Sequence, residues 1–181
     1  MNLARAAPGL TVVAVAATAG YLAYESLRPE AQPTPKVAAA SAAERIPNIT
    51  LPDLEGRPRQ LSEWKGRPLL INFWATWCEP CRREIPLLKK IRADYAATGL
   101  AVLGIAIDFP EPVSAYARDA KIDYPILVAA DDATVTQAFG VGMGLPTTVF
   151  ASADGRIVSV KVGELHRESA EKLIRDLLKA P

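Results

Sequence analysis

Cysteine and histidine are scarce in this chain, which has two cysteines and one histidine among 181 residues. A disulfide-stapled scaffold closes long loops with several pairs, so it is excluded. A four-ligand zinc site is poorly served, because His166 lies far along the chain from Cys78 and Cys81. Net charge is nearly absent: 21 Lys and Arg against 20 Asp and Glu leave +1, with both signs mixed along the chain. A nucleic-acid surface needs clustered Lys and Arg, and no such cluster occurs. Internal repeats are also missing. What remains is a chain that is half hydrophobic, long enough for one domain of ordinary size plus a short extra segment.

That extra segment is at the N-terminus. Ala6 to Tyr24 carries no charge, and as a helix it would be about 28 Å long, close to the thickness of a bilayer core. Arg5 lies before it and Glu25 after it, so the positive-inside rule keeps the N-terminus in the cytoplasm and sends the rest outward. Residues 1–25 therefore read as a transmembrane anchor. A cleaved signal peptide is the alternative, with Leu10 to Ala17 as its apolar region and Ala17-Thr18-Ala19 as its cleavage site. Either way the following domain is expected outside the cytoplasm, on the periplasmic side of the inner membrane. Residues 26–45, with Pro29, Pro33, Pro35 and an Ala/Ser run, read as a partly stiffened linker.

The folded domain is expected over 46–181. Asn48–Leu51 and Pro58–Leu61 flank a turn at Glu55-Gly56 and suggest a small N-terminal β-hairpin. Pro68–Trp74 is almost continuously apolar, as in a strand buried on both faces. A helix follows over Glu79–Ala97, with Leu88, Ile91 and Tyr95 on one face and Gly99 as its stop. Leu100–Ile107 reads as a second buried strand, Val113–Lys121 as a helix and Pro125–Ala129 as a strand. Asp131 or Asp132 could cap a helix through Phe139. Thr147–Ala151 and Ile157–Val162 surround Asp154-Gly155, a hairpin signal, and Arg167–Lys179 is an amphipathic helix. Alternation closed by a hairpin implies an α/β domain, with a mixed central sheet flanked by helices on both faces.

Trp77-Cys78-Glu79-Pro80-Cys81-Arg82 falls where the buried strand gives way to the helix. A helix N-terminus offers unpaired N–H groups and a positive partial charge. A thiolate there is stabilised, so Cys78 is expected to titrate below a free thiol. Cys81, one turn later, can close a ring with Cys78, and Pro80 suits the first turn. A C-x-x-C pair in a β-α setting is a redox motif more often than a metal pair.

These residues also carry a likeness. The run from Asn72 through Pro86, then Gly144-Leu145-Pro146-Thr147-Thr148 and Asp154-Gly155, resembles the thioredoxin superfamily. More narrowly it resembles the TlpA/ResA-type branch, which includes proteins of cytochrome c maturation. The resemblance covers about Ile46 to Leu178 and implies a thioredoxin-like fold. It implies a thiol–disulfide oxidoreductase that uses no cofactor beyond a redox-active Cys78–Cys81 disulfide. Pro146 matches the cis-proline opposite the cysteine pair, leaving the Leu145 backbone free to pair with an extended substrate. Trp77, Glu79 and Pro80 would border that substrate. Glu84 matches the acidic residue that follows the motif, and Pro86 the proline that kinks the active-site helix. Asn72 stands where cytosolic thioredoxins carry a buried aspartate, which leaves Glu84 to supply the carboxylate. The resemblance further implies disulfide-bearing protein substrates, such as apocytochrome c or copper-site cysteines. It implies a membrane thiol reductase of the DsbD or CcdA kind as electron donor.

Plainer readings stand beside these. Glu84 could be a solvated helix residue, Trp74 and Trp77 simple packing residues, Arg82 and Arg83 solvated charges, and His166 a cap or surface residue. Three other functions use the same pair. A peroxiredoxin-like peroxidase needs Thr three positions before its cysteine, where this chain has Ala75. A copper metallochaperone lacks a well-placed His or Met near the pair. A dithiol oxidase of folding proteins would use the same residues in reverse.

Overall fold

The structure is a computed structural model and describes residues 44–130, 132–139 and 144–179. The expected anchor or signal segment (1–25) and almost all of the linker (26–45) lie outside the described residues. Among those described, no helix is long and apolar enough to cross a membrane.

A two-stranded antiparallel hairpin comes first, β1 Thr50–Pro52 and β2 Pro58–Gln60. It is shorter than the sequence suggests. Leu61 begins a 3-10 turn, Leu61–Trp64, instead of extending β2. The central sheet has five strands: β3 Leu69–Trp74, β4 Ala101–Ala106, β5 Ile126–Val128, β6 Thr147–Ala151 and β7 Ile157–Val162. Their order is β5-β4-β3-β6-β7. β3, β4 and β5 run parallel, while β6 and β7 are antiparallel additions. Among the described residues four α-helices flank the sheet: α1 Glu79–Asp94, α2 Pro110–Asp119, α3 Asp132–Phe139 and α4 Arg167–Lys179. The expected mixed sheet, flanking helices and added hairpin are all present.

Three helix limits differ from expectation, one of them the end of α2, at Asp119 and not at Lys121. α1 stops at Asp94 and not at Ala97, because Ala96–Thr98 tightens into a 3-10 turn before Gly99 turns left-handed at φ 78°. α2 starts at Pro110 and not at Val113. Proline has no N–H to leave unpaired in a first turn, and its fixed φ suits the helix. α3 begins at Asp132, and Asp131 lies outside the described residues.

Side-chain alternation along β3 divides the core. Leu70 and Trp74 face the cluster built with α1, α2 and α4, which also holds both cysteines. Ile71 and Phe73 face the other cluster, covered by Leu51, Trp64, Val135 and Phe139. The first cluster requires a glycine at 104, in the middle of β4. A Cβ there would stand 3.1 Å from Trp74 Nε1 and 3.3 Å from the Tyr124 ring. β3 is thus buried along its whole length and ends rigidly where the cysteine motif begins.

Candidate active site

β3 ends at Trp74, and four residues later Cys78 caps α1 in an extended conformation. The Cys78 Sγ accepts a hydrogen bond from the Cys81 N–H at 3.3 Å. The sulfur therefore sits where the helix N-terminus directs its free N–H groups. Cys78 and Cys81 form a disulfide, with the two Cα atoms 5.3 Å apart. Cys81 is fully buried, whereas Cys78 keeps 5% exposure. Solvent or a substrate therefore meets Cys78 first. Glu79 and Pro80 form the first turn of α1, Glu79 exposed and Pro80 half-buried.

The two tryptophans separate. Trp74 is fully buried against Tyr116, so it shapes the core and not the surface. Trp77 is exposed beside Cys78. The Leu145–Pro146 bond is cis, as the resemblance implied. Pro146 is buried, and half-buried Leu145 packs against the cluster that contains both cysteines. His166 is exposed, and its carbonyl accepts from Ala170 N–H in the first turn of α4.

Glu84 is not a solvated helix residue. It is 2% exposed, one turn beyond Cys81 on α1. Its Oε1 accepts from Asn72 Nδ2 at 2.6 Å, and its Oε2 from the Leu165 N–H at 2.7 Å. Asn72 Nδ2 also donates to Thr148 Oγ1 at 3.1 Å, which ties β3, β6 and α1 together. Burial pushes the Glu84 carboxyl up to about 7, against the pull of the Leu165 and Asn72 hydrogen bonds. A buried acid that changes charge near neutral pH, one turn from a thiol pair, is suited to taking up and releasing a proton.

Arg83 is not a free solvated charge either. It pairs with Glu79 at 2.9 Å and with Glu164 at 2.7 Å. It thereby pins the segment after β7 to α1, beside the Leu165 contact to Glu84. Among the described residues, no group of three or more His, Cys, Asp or Glu could hold a metal ion.

Asp108, two residues beyond β4, carries no motif in the sequence that marks it. Its Oδ2 accepts from Thr76 N–H at 3.0 Å and from Thr76 Oγ1 at 2.5 Å, and its Oδ1 from Phe109 N–H at 2.8 Å. It clamps the turn that carries Trp77 and Cys78. An acid two residues ahead of a helical run is a weak local signal, and its partner is 32 residues away. Asp108→Ala leaves the Thr76 N–H without a partner. Urea unfolding is expected to show a loss of about 1–3 kcal/mol, whereas an unchanged midpoint would mean that the clamp holds nothing.

Comparison with known proteins agrees with this geometry. The redoxin family model matches residues 41–177. The thiol-disulfide oxidoreductase ResA of Geobacillus thermodenitrificans is 30% identical over 140 residues, covering 77% of this chain and 79% of that protein. ResA of Halalkalibacterium halodurans is 32% identical over 136 residues, covering 75% and 76%. Among solved structures, a thiol:disulfide interchange protein of the thioredoxin family from Chlorobium tepidum TLS superposes with a TM-score of 0.65. It is 28% identical, with 74% of this chain and 95% of that one covered. Fold, paired cysteines and relatives agree: the chain belongs to the redoxin family, as a TlpA/ResA-like thiol–disulfide oxidoreductase of the thioredoxin superfamily.

Proposed function

We propose that this oxidoreductase works as a reductant of extracytoplasmic proteins, with Cys78 as the attacking thiol, Cys81 as the resolving thiol and Glu84 as the proton acceptor. In the reduced protein the Cys78 thiolate attacks one sulfur of a substrate disulfide. A new S–S bond forms and the second substrate sulfur leaves as a thiolate. Cys81 then gives its proton to Glu84 and attacks the Cys78 sulfur. This breaks the mixed disulfide and releases the substrate's first sulfur, which takes up a proton. The substrate disulfide has gained two electrons and the Cys78–Cys81 dithiol has lost them. No other cofactor enters. Trp77, Glu79, Pro80, Leu145 and Pro146 border the approach to Cys78.

The observation that carries this reading is the buried Glu84 carboxyl one turn beyond Cys81. Its negative form opposes a thiolate at the pair, working against the helix N-terminus. A less stable thiolate makes the disulfide the preferred state, which is the property of a reductant. Apocytochrome c and copper-site cysteines are the substrates proposed, and a DsbD- or CcdA-type membrane reductase the donor. The N-terminal segment would keep the domain at the outer face of the membrane. These proposals draw on the TlpA/ResA likeness.

A redox titration against glutathione tests the direction. The midpoint is expected nearer the value of about −270 mV found for thioredoxin than that of about −120 mV found for DsbA. A midpoint near the DsbA value would make the protein an oxidant of folding chains.

A further inference from the structure

Two aromatic side chains stand in solvent at the mouth of the site. Trp77 is 68% exposed and Phe109 is 66% exposed, the highest values among the large hydrophobic side chains described. Each follows one partner of the Thr76–Asp108 clamp, which ties together the loops after β3 and β4 that carry them. The Phe109 backbone is itself fixed by its N–H to Asp108 Oδ1. A single exposed aromatic residue needs no explanation. Trp77 is bonded to Cys78, whose sulfur solvent reaches first, and the clamp ties the Phe109 loop to the same turn.

The charged residues next to Phe109 in the chain, Asp108 and Glu111, are both acids. Both Asp108 oxygens are taken by N–H and O–H donors that carry no charge. Glu111 is exposed in the first turn of α2. Among the described residues neither acid enters an ion pair with Lys or Arg. Arg83 is already held by Glu79 and Glu164, while Arg82 is exposed on α1 one turn after Cys78, and the acids at 108 and 111 lie on the other loop of the clamp. Aromatic faces and unneutralised carboxylates both attract a cation.

We propose that Trp77, Phe109 and Glu111 form a recognition site for a lysine or arginine beside the reacting cysteine of a protein substrate. The cation lies over the aromatic pair while its neighbouring sulfur meets Cys78. The enzyme thereby selects disulfides with basic flanks. This rests on thiol–disulfide exchange at Cys78, and it goes beyond that exchange by naming the substrate feature selected.

The test uses the reduced full-length chain and three probes: hydroxyethyl disulfide, a disulfide-linked peptide with Lys next to cysteine, and the same peptide with Glu there. Second-order reduction rates are measured by stopped flow at low and high salt. The Lys peptide is expected to react faster than the Glu peptide. Phe109→Ala should narrow the Lys-to-Glu ratio about two- to fivefold, the effect of one exposed cation–aromatic contact. Glu111→Gln should narrow it at low salt and have little effect at high salt. Val158→Ala, exposed on β7, should leave the ratio as it is. Equal rates for the two peptides, or a ratio untouched by both Phe109→Ala and Glu111→Gln, would overturn the proposal. Failure to reduce hydroxyethyl disulfide would overturn the exchange reading beneath it, and the proposal with it.

Discussion

Cys78→Ser is expected to abolish turnover, and Cys81→Ser to stop it after one step, with substrate held on Cys78. Both losses should be on the order of a thousandfold or more, because the two sulfurs act as one unit. The single-turnover behaviour separates them. The Cys81→Ser protein keeps the exposed sulfur at the α1 N-terminus and should still release one thiolate from a model disulfide. The Cys78→Ser protein keeps only a sulfur with no exposure and should release none. Stopped-flow detection of the released thiol and mass spectrometry of the adduct measure this. A trapped adduct in Cys78→Ser and none in Cys81→Ser would reverse the roles.

The second large effect is the pH dependence attached to Glu84. Its folded pKa, raised by burial to about 7, lies above the value of 4.5 expected for an unperturbed glutamate. Through that window the folded protein binds the proton more tightly than the unfolded chain does. Stability from this group is therefore fully present below the unfolded value and is lost as pH rises through the folded one. The loss should reach about 3 kcal/mol by pH 8. Glu84→Gln cannot ionise and should not show it. Its amide can still accept from Leu165 N–H, and it can donate to Asn72 Oδ1, which has no partner in the oxidised protein. Asp53, Glu63, Asp154 and Glu164 are held below their ordinary values and give the opposite slope at low pH. The difference between wild type and Glu84→Gln cancels their contribution. Urea unfolding of both oxidised proteins across this range is the measurement. In the reduced proteins, Glu84→Gln should also lower the Cys78 pKa and slow resolution by Cys81. Parallel stability curves together with identical resolution rates would mean that Glu84 neither titrates in this range nor accepts the proton.

Asn72 shows why a buried carboxyl is tolerated here. A second carboxylate at 72 would stand against Glu84 and repel it. An amide can donate Nδ2–H to the ionised acid, or turn over and accept from the protonated one through Oδ1. One residue thus serves both protonation states that a proton acceptor must visit.

The sequence made one part of this site readable and hid another. The apolar run ending at Trp74, the Cys78–Cys81 spacing and Gly99 each act locally, through periodicity, helix-end physics or a left-handed turn. Those signals survive in a linear reading. The Leu145–Pro146 bond and the special place of Glu84 came from the family likeness, since no local rule separates Glu84 from a surface acid next to Arg82 and Arg83. The Asp108–Thr76 clamp joins residues 32 apart, and the Leu165–Glu84 and Glu164–Arg83 contacts join residues 81 apart. In sequence Thr76, Asp108, Arg83, Glu84 and Glu164 look like ordinary polar surface residues. Only the strand order places the ends of β3, β4 and β7 around one helix. Gly104 is similar: its need arises from Trp74 and Tyr124, brought together by β3–β4 pairing. The start of α2 at Pro110 is legible in principle, because proline suits a first turn.

The proposed mechanism turns on the Cys78 sulfur being the one that reacts. The reduced protein, treated briefly with substoichiometric iodoacetamide at neutral pH and then digested, reports this directly. The label is expected almost wholly on Cys78, with Cys81 modified only after denaturation; labelling of Cys81 first, or of both at equal rates, would contradict attack through Cys78.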